Sequence, residues 1–237
     1  MIAKSAVVIA LVLAPAAVAQ TYIVPTQDCG NVTLKVSRGS DFPNAGAPVM
    51  NDEVADGVVW NKQRTRIKPA DDSRPFSISL TTEVSTGVHA PVFAAGVNLK
   101  PRVVGNETRT EHAKTLLFCG DTPMADWQGS VGQSFEIFPQ EWNPLRTRMK
   151  AGDRMWFIAV DETQTSSGSK LIHDQPMQLF KAGTGLVQEG KANKIGGMDF
   201  RFPEPGLYMV VATHRRADPE HADHFLVDTS TLTFEVK

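Results

Sequence analysis

The stretch "PEPGLYMVVATHRR", residues 203–216, decides the fold class of this 237-residue chain. Turn residues at 203–206 are followed by a run whose side chains alternate between two faces of an extended segment. One face carries Tyr208, Val210, Ala212 and His214, and the other carries Leu207, Met209, Val211 and Thr213. Because both faces are largely apolar, we expect a central β-strand that is covered on both sides. The first half of the chain is the obvious candidate for the second cover.

Runs with the same alternation recur along the chain and are separated by Gly- and Pro-containing turn signals. The predicted strands include residues 32–36, 76–80, 115–118, 135–138, 155–160, 177–180, 198–202 and 232–236. Leu232, Phe234 and Val236 alternate with Thr231, Thr233 and Glu235, so the last strand should bury one face only. No long amphipathic helix is predicted, although a helical turn or two fits residues 106–114. Many short strands at roughly even spacing favour an all-β sandwich.

The first nineteen residues have the pattern of a secretory signal peptide. Lys4 precedes a short apolar run at 6–13, and Ala17-Val18-Ala19 forms an A-x-A cleavage site before Gln20. No later apolar run approaches the 18 residues of a membrane-spanning helix. We therefore expect an exported, periplasmic protein with no membrane insertion.

The remaining chain is long enough for one large β domain or two small ones. Pro and Gly residues at 121–133 suggest a linker, so we predict an N-terminal sandwich domain at 20–125 and a C-terminal one at 132–237. The formal net charge is only −2, and the 24 Lys and Arg residues are scattered. This distribution argues against a nucleic-acid or membrane-surface partner.

Cys29 and Cys119 are the two cysteines of the chain. In an oxidising compartment an isolated pair most simply forms one disulfide, which would close a loop of about 91 residues. A pair of metal thiolates is the competing interpretation. Neither cysteine has a neighbour in a CxxC or CxH pattern, and this favours the disulfide.

Three of the six histidines lie within eleven residues, at His214, His221 and His224. Imidazoles are ready ligands of borderline transition metals, and Glu220 and Asp223 could complete a site with oxygen. If the last two strands form a simple hairpin, His214 should stand opposite His224, with Cβ atoms about 4.5–5.5 Å apart. The sequence thus predicts a metal site at the end of this hairpin.

The same stretch also fits a solvated hairpin end without a metal. Arg215 and Arg216 adjoin His214 and would either repel a cation or pair with the nearby acids. Elsewhere, His89 beside Pro91 is typical of a structural histidine. His173, close to Met177, has the ligand types of a soft Cu(I) site, but two residues are a weak pattern.

Other chemistries find little support in the sequence. No G-x-S-x-G nucleophile elbow is present, and the acidic pair Asp71-Asp72 lies in a turn-like stretch. We therefore expect a non-enzymatic protein. Aromatic side chains of the second half could form a sugar-binding platform, although core packing is the more frequent role of such residues; they are Trp127, Trp142, Trp156 and Phe138.

Several motifs together resemble the DUF4198 family. They are GSDFP (39–43), HAKTLLFCGD (112–121), FEIFPQEWNP (135–144), MKAGDRMWF (149–157), FRFPEPGLYMVVATHR (200–215) and STLTFEV (230–236). The resemblance covers nearly all of the chain after the signal peptide and is most specific in its last hundred residues.

The resemblance implies a periplasmic protein of two Ig-like or transthyretin-like β-sandwich modules. Some members are associated with nickel or cobalt uptake, as periplasmic components beside a metal transporter. We accordingly expect a divalent ion, nickel or cobalt first with copper and zinc open, and a metal transporter of the inner membrane or a receptor of the outer membrane as partner. Metal-linked members often begin with His after signal removal, whereas this chain would begin with Gln20. The alternative is an Ig-like carbohydrate-binding or adhesion module without metal.

Overall fold

The computed structural model describes residues 19–24, 30–44, 46–61, 63–81, 92–118, 130–140, 149–162 and 170–237. These ranges contain β-strands and a single 3-10 turn, Asn51–Glu53, which confirms the all-β prediction. No helix within them is long and apolar enough to span a bilayer. Several sequence predictions fall outside the described residues, namely those on the signal peptide up to residue 18, Cys29, Cys119, His89, Trp127 and Trp142.

The described residues before 119 contain nine strands. They are β1 (Gln20–Ile23), β2 (Asn31–Gly39), β3 (Ala47–Pro48), β4 (Val54–Asn61), β5 (Gln63–Ile67), β6 (Ser77–Thr81), β7 (Val92–Leu99), β8 (Arg102–Val104) and β9 (Glu107–Phe118). The helical turn predicted within 106–114 is wrong, because β9 occupies this segment. Its side chains alternate between two cores, with Ala113 in one and Leu116 in the other, and only an extended segment can serve both.

In the part of the chain that the structure describes after residue 130, there are eight strands. They are β10 (Phe135–Gln140), β11 (Arg154–Asp161), β12 (Lys170–Leu171), β13 (Pro176–Lys181), β14 (Gly185–Lys191), β15 (Gly197–Arg201), β16 (Gly206–Ala217) and β17 (Phe225–Val236). All the strands predicted from alternation in this half are present. The structure adds the two-residue strand β12 and the strand β14, whose exposed, Gly-containing sequence gives little periodic signal.

One large sheet contains strands from both halves of the chain. Its order is β14-β13-β16-β17-β9-β7-β4-β5, with β8 also paired to β9. The halves meet where β17 runs parallel to β9, from the pair Phe225↔Glu107 to the pair Thr233↔Thr115. The two predicted domains therefore share a continuous sheet, and the boundary between residues 125 and 132 stays a prediction.

Two smaller sheets lie against this large sheet and complete the layers of the sandwich. Strands β1, β2, β3 and β6 form one of them, and β10, β11, β12 and β15 form the other. The core beneath the first includes Leu34, Ile78 and Val97. The core beneath the second includes Phe157, Phe200 and Phe234. The two apolar cores thus lie on opposite faces of the shared sheet, and both contain residues of the first half.

Strand β16 is buried on both faces, as the sequence predicts. Val210 packs into the core of the second half. On the other face, Met209 and Val211 pack against Tyr22 and Phe42, which come from the first half. The prediction that the first half supplies the second cover is therefore confirmed.

Strand β17 departs from the predicted one-face burial. Thr231 and Thr233 are 1% and 0% exposed, because β1 lies across this face of the large sheet. The Thr231 hydroxyl donates to the Thr21 carbonyl oxygen at 2.6 Å, and the Thr233 hydroxyl donates to the carbonyl oxygen of Ile23. Threonine satisfies the backbone of the covering strand in this way, so a polar residue is compatible with full burial.

A charged cluster also ties β1 and β2 to β9. The carboxylate of Glu111 accepts hydrogen bonds from Thr21 and Arg102, and from Arg38 Nε at 3.2 Å. Arg38 also donates to Glu53 Oε1 at 2.6 Å. The nearly buried carboxylate is thereby matched by two guanidinium groups, as a buried charge requires.

Candidate functional site

The histidine-rich stretch forms the turn at 218–224, which joins β16 to β17. The Asp218 amide donates to the His224 carbonyl oxygen at 2.9 Å and closes the turn, and the His224 amide reaches the His221 carbonyl oxygen at 3.3 Å. Asp223 has φ 63°, a left-handed conformation that Asp tolerates better than most residues. The predicted hairpin is therefore present, and its end carries most of the predicted ligands.

The predicted register of this hairpin is wrong, since His214 stands opposite Asp228 and not opposite His224. Strand β16 continues for three more residues and ends at the pair Ala217↔Phe225. This extension of β16 is stabilised because Arg215 and Arg216 each form an ion pair with a carboxylate. Arg215 Nε lies 3.1 Å from Glu107 Oε1, and Arg216 pairs with Asp228. The arginines therefore pair with acids, one of the two outcomes expected for them.

His214 lies away from the turn, on the face of β16 that covers the second core. Its ring packs against that of Phe135, with centroids 6.1 Å apart and planes tilted by 35°. A side chain in this position cannot join His221 and His224 without a change of strand register. The structure thus separates one histidine from the other two of the predicted cluster.

His221 and His224 lie together on the turn, with ring centroids 6.3 Å apart and planes at 71°. His221 Nδ1 is 3.0 Å from Asp218 Oδ2, and His224 Nε2 is 2.9 Å from Thr108 Oγ1. Each imidazole thus uses one ring nitrogen in a hydrogen bond that orients it. This is how histidine ligands of metals are commonly held, with the other nitrogen left for the ion.

Asp218 is well suited to orient His221. Its Oδ1 accepts the backbone amide of Glu220 at 2.9 Å, and this hydrogen bond lowers the pKa of the carboxyl group. The carboxylate consequently stays ionised in mildly acidic solution. Glu220 and Asp223 are exposed on the same turn and stay the candidate oxygen ligands.

The turn does not form a closed metal site in this conformation. Across the parts of the chain that the structure describes, no three His, Cys, Asp or Glu side chains converge closely enough to hold an ion. Two imidazoles on one tetrahedral ion have centroids roughly 5 Å apart, given metal–nitrogen distances of about 2.0–2.1 Å. The 6.3 Å separation of His221 and His224 would have to shorten by roughly 1 Å.

The first half of the chain holds this turn in place. Asn106 Nδ2 donates to the Asp223 carbonyl oxygen at 3.1 Å, and the Phe225 amide donates to the Asn106 carbonyl oxygen at 2.9 Å. The Arg215 guanidinium stacks 3.3 Å from the centroid of the Phe225 ring. The backbone under the two histidines is therefore anchored, while the side chain of His221 is 70% exposed.

Two weaker sequence hypotheses find no geometric support. His173 is exposed and pairs with Asp174 at 2.8 Å, whereas Met177 is fully buried in the second core, so they do not form a His–Met pair. Phe138 is only 8% exposed, and Lys114 Nζ lies 4.6 Å from its ring centroid. Phe138 therefore cannot contribute to an open sugar-binding platform with Trp156.

A second polar cluster, which the sequence analysis missed, lies between β9 and β10. We call it the buried joint and define it as His112, Lys114, Ser134 and Glu136. Lys114 Nζ and Glu136 Oε1 are 2.8 Å apart, and both side chains are 0% exposed. Burial lowers the pKa of Lys114, and the adjacent Glu136 opposes that shift. In the sequence, the only indication of this cluster was the single lysine, Lys114, within an otherwise apolar, alternating segment.

Glu136 also shapes the segment that leads into β10. Its carboxylate accepts the backbone amides of Val131, Gly132 and Gln133 at 2.7, 3.1 and 3.3 Å. The Gln133 side chain in turn donates to the carbonyl oxygens of Val97 and Ala113, both at 3.0 Å. The buried joint thereby fixes the entry of the second half against β7 and β9.

His112 is the member of the buried joint whose ordinary pKa lies closest to neutral pH, and it is nearly inaccessible to solvent. Its Nδ1 lies 2.9 Å from Asn98 Oδ1, and its Nε2 lies 3.2 Å from Ser134 Oγ. Burial lowers the pKa of His112, although the carboxylates of Asp228, Glu136, Asp56 and Glu111 oppose this shift. The imidazole is therefore neutral at neutral pH.

This lowered pKa predicts a pH-dependent stability. In the unfolded chain His112 binds a proton near its ordinary pKa of 6.5, while the folded chain takes it up only at lower pH. Stability should consequently fall as the pH drops through 6.5, with a slope of at most about 1.4 kcal/mol per pH unit from this group. Urea unfolding between pH 7.5 and 5 should show a steeper decline for the wild type than for His112→Gln. Parallel pH curves for the two proteins would contradict the assignment.

Comparisons with known proteins leave the family open. No protein-family model matches the chain, and no curated protein matches it. Among solved structures, it is similar to native alpha-2-macroglobulin from Escherichia coli in a crystal structure spanning domains NIE to MG1. The identity is 8% and the TM-score is 0.24, over 90% of this chain and 98% of that chain. A likeness of this size carries no argument about function.

Proposed function

We propose that this chain is an exported protein that binds a divalent transition-metal ion at the 218–224 turn and hands it on during metal uptake. One observation carries the proposal: His221 and His224 stand side by side, each oriented through one ring nitrogen. The resemblance of the sequence motifs and the predicted signal peptide support a periplasmic location. They also make nickel or cobalt the first ions to test, and an inner-membrane metal transporter or an outer-membrane receptor the partner to seek.

The proposed ligand set is narrower than the predicted one. His221 Nε2 and His224 Nδ1 supply the two nitrogens, and Glu220 or Asp223 supplies oxygen. Asp218 orients His221 from outside the coordination sphere, and His214 takes no part. Two imidazoles with one carboxylate suit nickel, cobalt, copper and zinc alike. Such an incomplete and exposed set binds an ion reversibly, as a protein that passes the ion on requires.

Calorimetric titration of the protein with Ni²⁺, Co²⁺, Cu²⁺ and Zn²⁺ tests this proposal. We expect one ion per chain for at least one of these metals, and no measurable binding by His221→Ala/His224→Ala. Asp218→Asn should weaken binding about tenfold, because an orienting partner typically contributes 10- to 100-fold in affinity.

His173→Ala is the matched control for this titration. His173 is 63% exposed and pairs with Asp174 at 2.8 Å, so it reproduces the His221–Asp218 pair without a second imidazole. His173→Ala and His214→Ala should both bind as the wild type does. If the wild type binds none of the four ions, or if the double variant binds as well as the wild type, the proposal is wrong.

A further inference from the structure

Ser134 belongs to a hydrogen-bonded series of four side chains that crosses three strands. Asp56, Asn98 and His112 occupy directly paired positions on β4, β7 and β9. Asn98 Nδ2 lies 2.6 Å from Asp56 Oδ1, and Asn98 Oδ1 lies 2.9 Å from His112 Nδ1. His112 Nε2 then lies 3.2 Å from Ser134 Oγ, at the start of β10.

The series determines which atom donates at each step. The Asp56 carboxylate can only accept, so Asn98 must present its amide nitrogen to Asp56 and its oxygen to His112. His112 Nδ1 therefore carries the proton, and in the neutral ring Nε2 is an acceptor. The Ser134 hydroxyl consequently donates to Nε2. A hydroxyl, a neutral imidazole acceptor and an orienting group behind it are the parts of an activated nucleophile.

Ser134 is also fixed in position. Its carbonyl oxygen accepts the Glu162 amide at 2.7 Å, and its neighbour Gln133 is held by two carbonyl oxygens of the large sheet. Ser134 is half-buried, whereas His112 is nearly inaccessible, so the proposed nucleophile is the more exposed member of the Ser134–His112 pair.

We propose that Ser134 is a nucleophile towards activated acyl compounds, with His112 as its general base and Asn98 and Asp56 as positioning residues. Ser134 Oγ forms a bond to the acyl carbon, and the bond to the leaving group breaks. The hydroxyl proton passes to His112 Nε2 and from there to the leaving group. Water then attacks the acyl-serine, the acid departs and the proton returns to Ser134. This activity goes beyond metal binding and departs from the expectation of a non-enzymatic protein.

The same structure limits the compounds that can react. The amides of Val131, Gly132 and Gln133 already donate to Glu136, so they are not available to a developing oxyanion. Without those donors, the reaction requires a leaving group that departs easily. Aryl esters and fluorophosphonates meet this requirement, whereas ordinary amides do not.

Labelling with a fluorophosphonate probe, followed by peptide mass mapping, tests the proposal on the full chain. The Ser134 oxygen displaces fluoride from phosphorus, so the adduct should appear on Ser134 and should be absent from Ser134→Ala. Ser130 is the matched internal control, because its half-buried hydroxyl bonds to Glu136 Oε2 at 3.1 Å and not to an imidazole. Labelling confined to Ser130, or none on either serine, overturns the proposal.

The pH dependence separates an activated serine from a merely hydrogen-bonded one. Labelling should increase with pH as His112 loses its proton, with a midpoint below 6.5, and should be roughly 100-fold slower in His112→Gln. Asn98→Ala should slow labelling and move the midpoint, since His112 loses the partner that fixes its tautomer. Circular dichroism of each variant shows whether it is folded. The pH profile of the wild-type protein tests the proposal even if a variant does not fold. A wild-type labelling rate at pH 8 that is no higher than that of the folded His112→Gln variant would refute the role of His112.

Discussion

Replacing Lys114 by Met is expected to lower the free energy of unfolding by about 3–5 kcal/mol, because it leaves the buried Glu136 carboxylate without its cation. The pair is fully buried, so water cannot substitute for the ammonium group. The same carboxylate accepts hydrogen bonds from the amides of the segment entering β10, so an unbalanced Glu136 should disturb that segment as well. Urea unfolding followed by circular dichroism measures the loss.

Two further variants make this prediction specific. Lys114→Met/Glu136→Gln removes both charges and keeps an acceptor oxygen for the amides, so it should recover a substantial part of the lost stability. Lys191→Met, at an exposed position on β14, should change stability by about 0.5 kcal/mol or less. If Lys114→Met is no more harmful than Lys191→Met, the ion pair is not required for the fold.

Phe234→Ala is expected to cost about 3–5 kcal/mol, the usual range for removing a buried aromatic ring. The ring lies on β17 and is 0% exposed. It stacks on Phe157 and Tyr208, with centroid distances of 5.6 and 6.4 Å, and meets Phe202 edge-on at 5.5 Å. Guanidinium unfolding followed by tryptophan fluorescence measures the effect.

Because β17 connects the two halves of the large sheet, this substitution should lower the stability of both halves together. We expect a single unfolding transition that moves to lower denaturant concentration as a whole. Phe225→Ala, on the same strand but half-buried beside the 218–224 turn, is the control and should cost roughly 1 kcal/mol. Two separate transitions, with only one of them shifted, would show that the halves unfold independently.

Alternation of side chains was enough to predict nine of the seventeen described strands, because the side chains of a half-buried strand alternate with a period of two residues. It also predicted that β16 is covered on both faces. It could not predict that β17 lies parallel to β9, since that pairing joins segments more than a hundred residues apart and leaves no local pattern. It failed at residues 106–114, where polar residues on β9 are buried by partners that only the tertiary structure supplies.

The sequence predicted where the candidate site lies, but it did not predict the pairing register of the two strands that carry it. The sequence placed three histidines at the end of the last hairpin, which the structure confirms for His221 and His224 but not for His214. The residue that pairs with His214 depends on where β16 ends. Arg215 and Arg216 extend this strand through ion pairs with Glu107 and Asp228. The series from Asp56 to Ser134 was beyond sequence reasoning, because its members come from four separate strands or strand ends.

The parallel pairing of β17 with β9 has a consequence for how the chain folds. Until residues 225–236 arrive, β9 has an unpaired edge and β16 lacks one neighbour, although both have already been synthesised. Closing such a distant pair is slow, and exposed strand edges are prone to join other chains. The large sheet is therefore complete only once β17 has inserted between β16 and β9, so molecules in which this step is delayed should associate with one another through the open edge of β9.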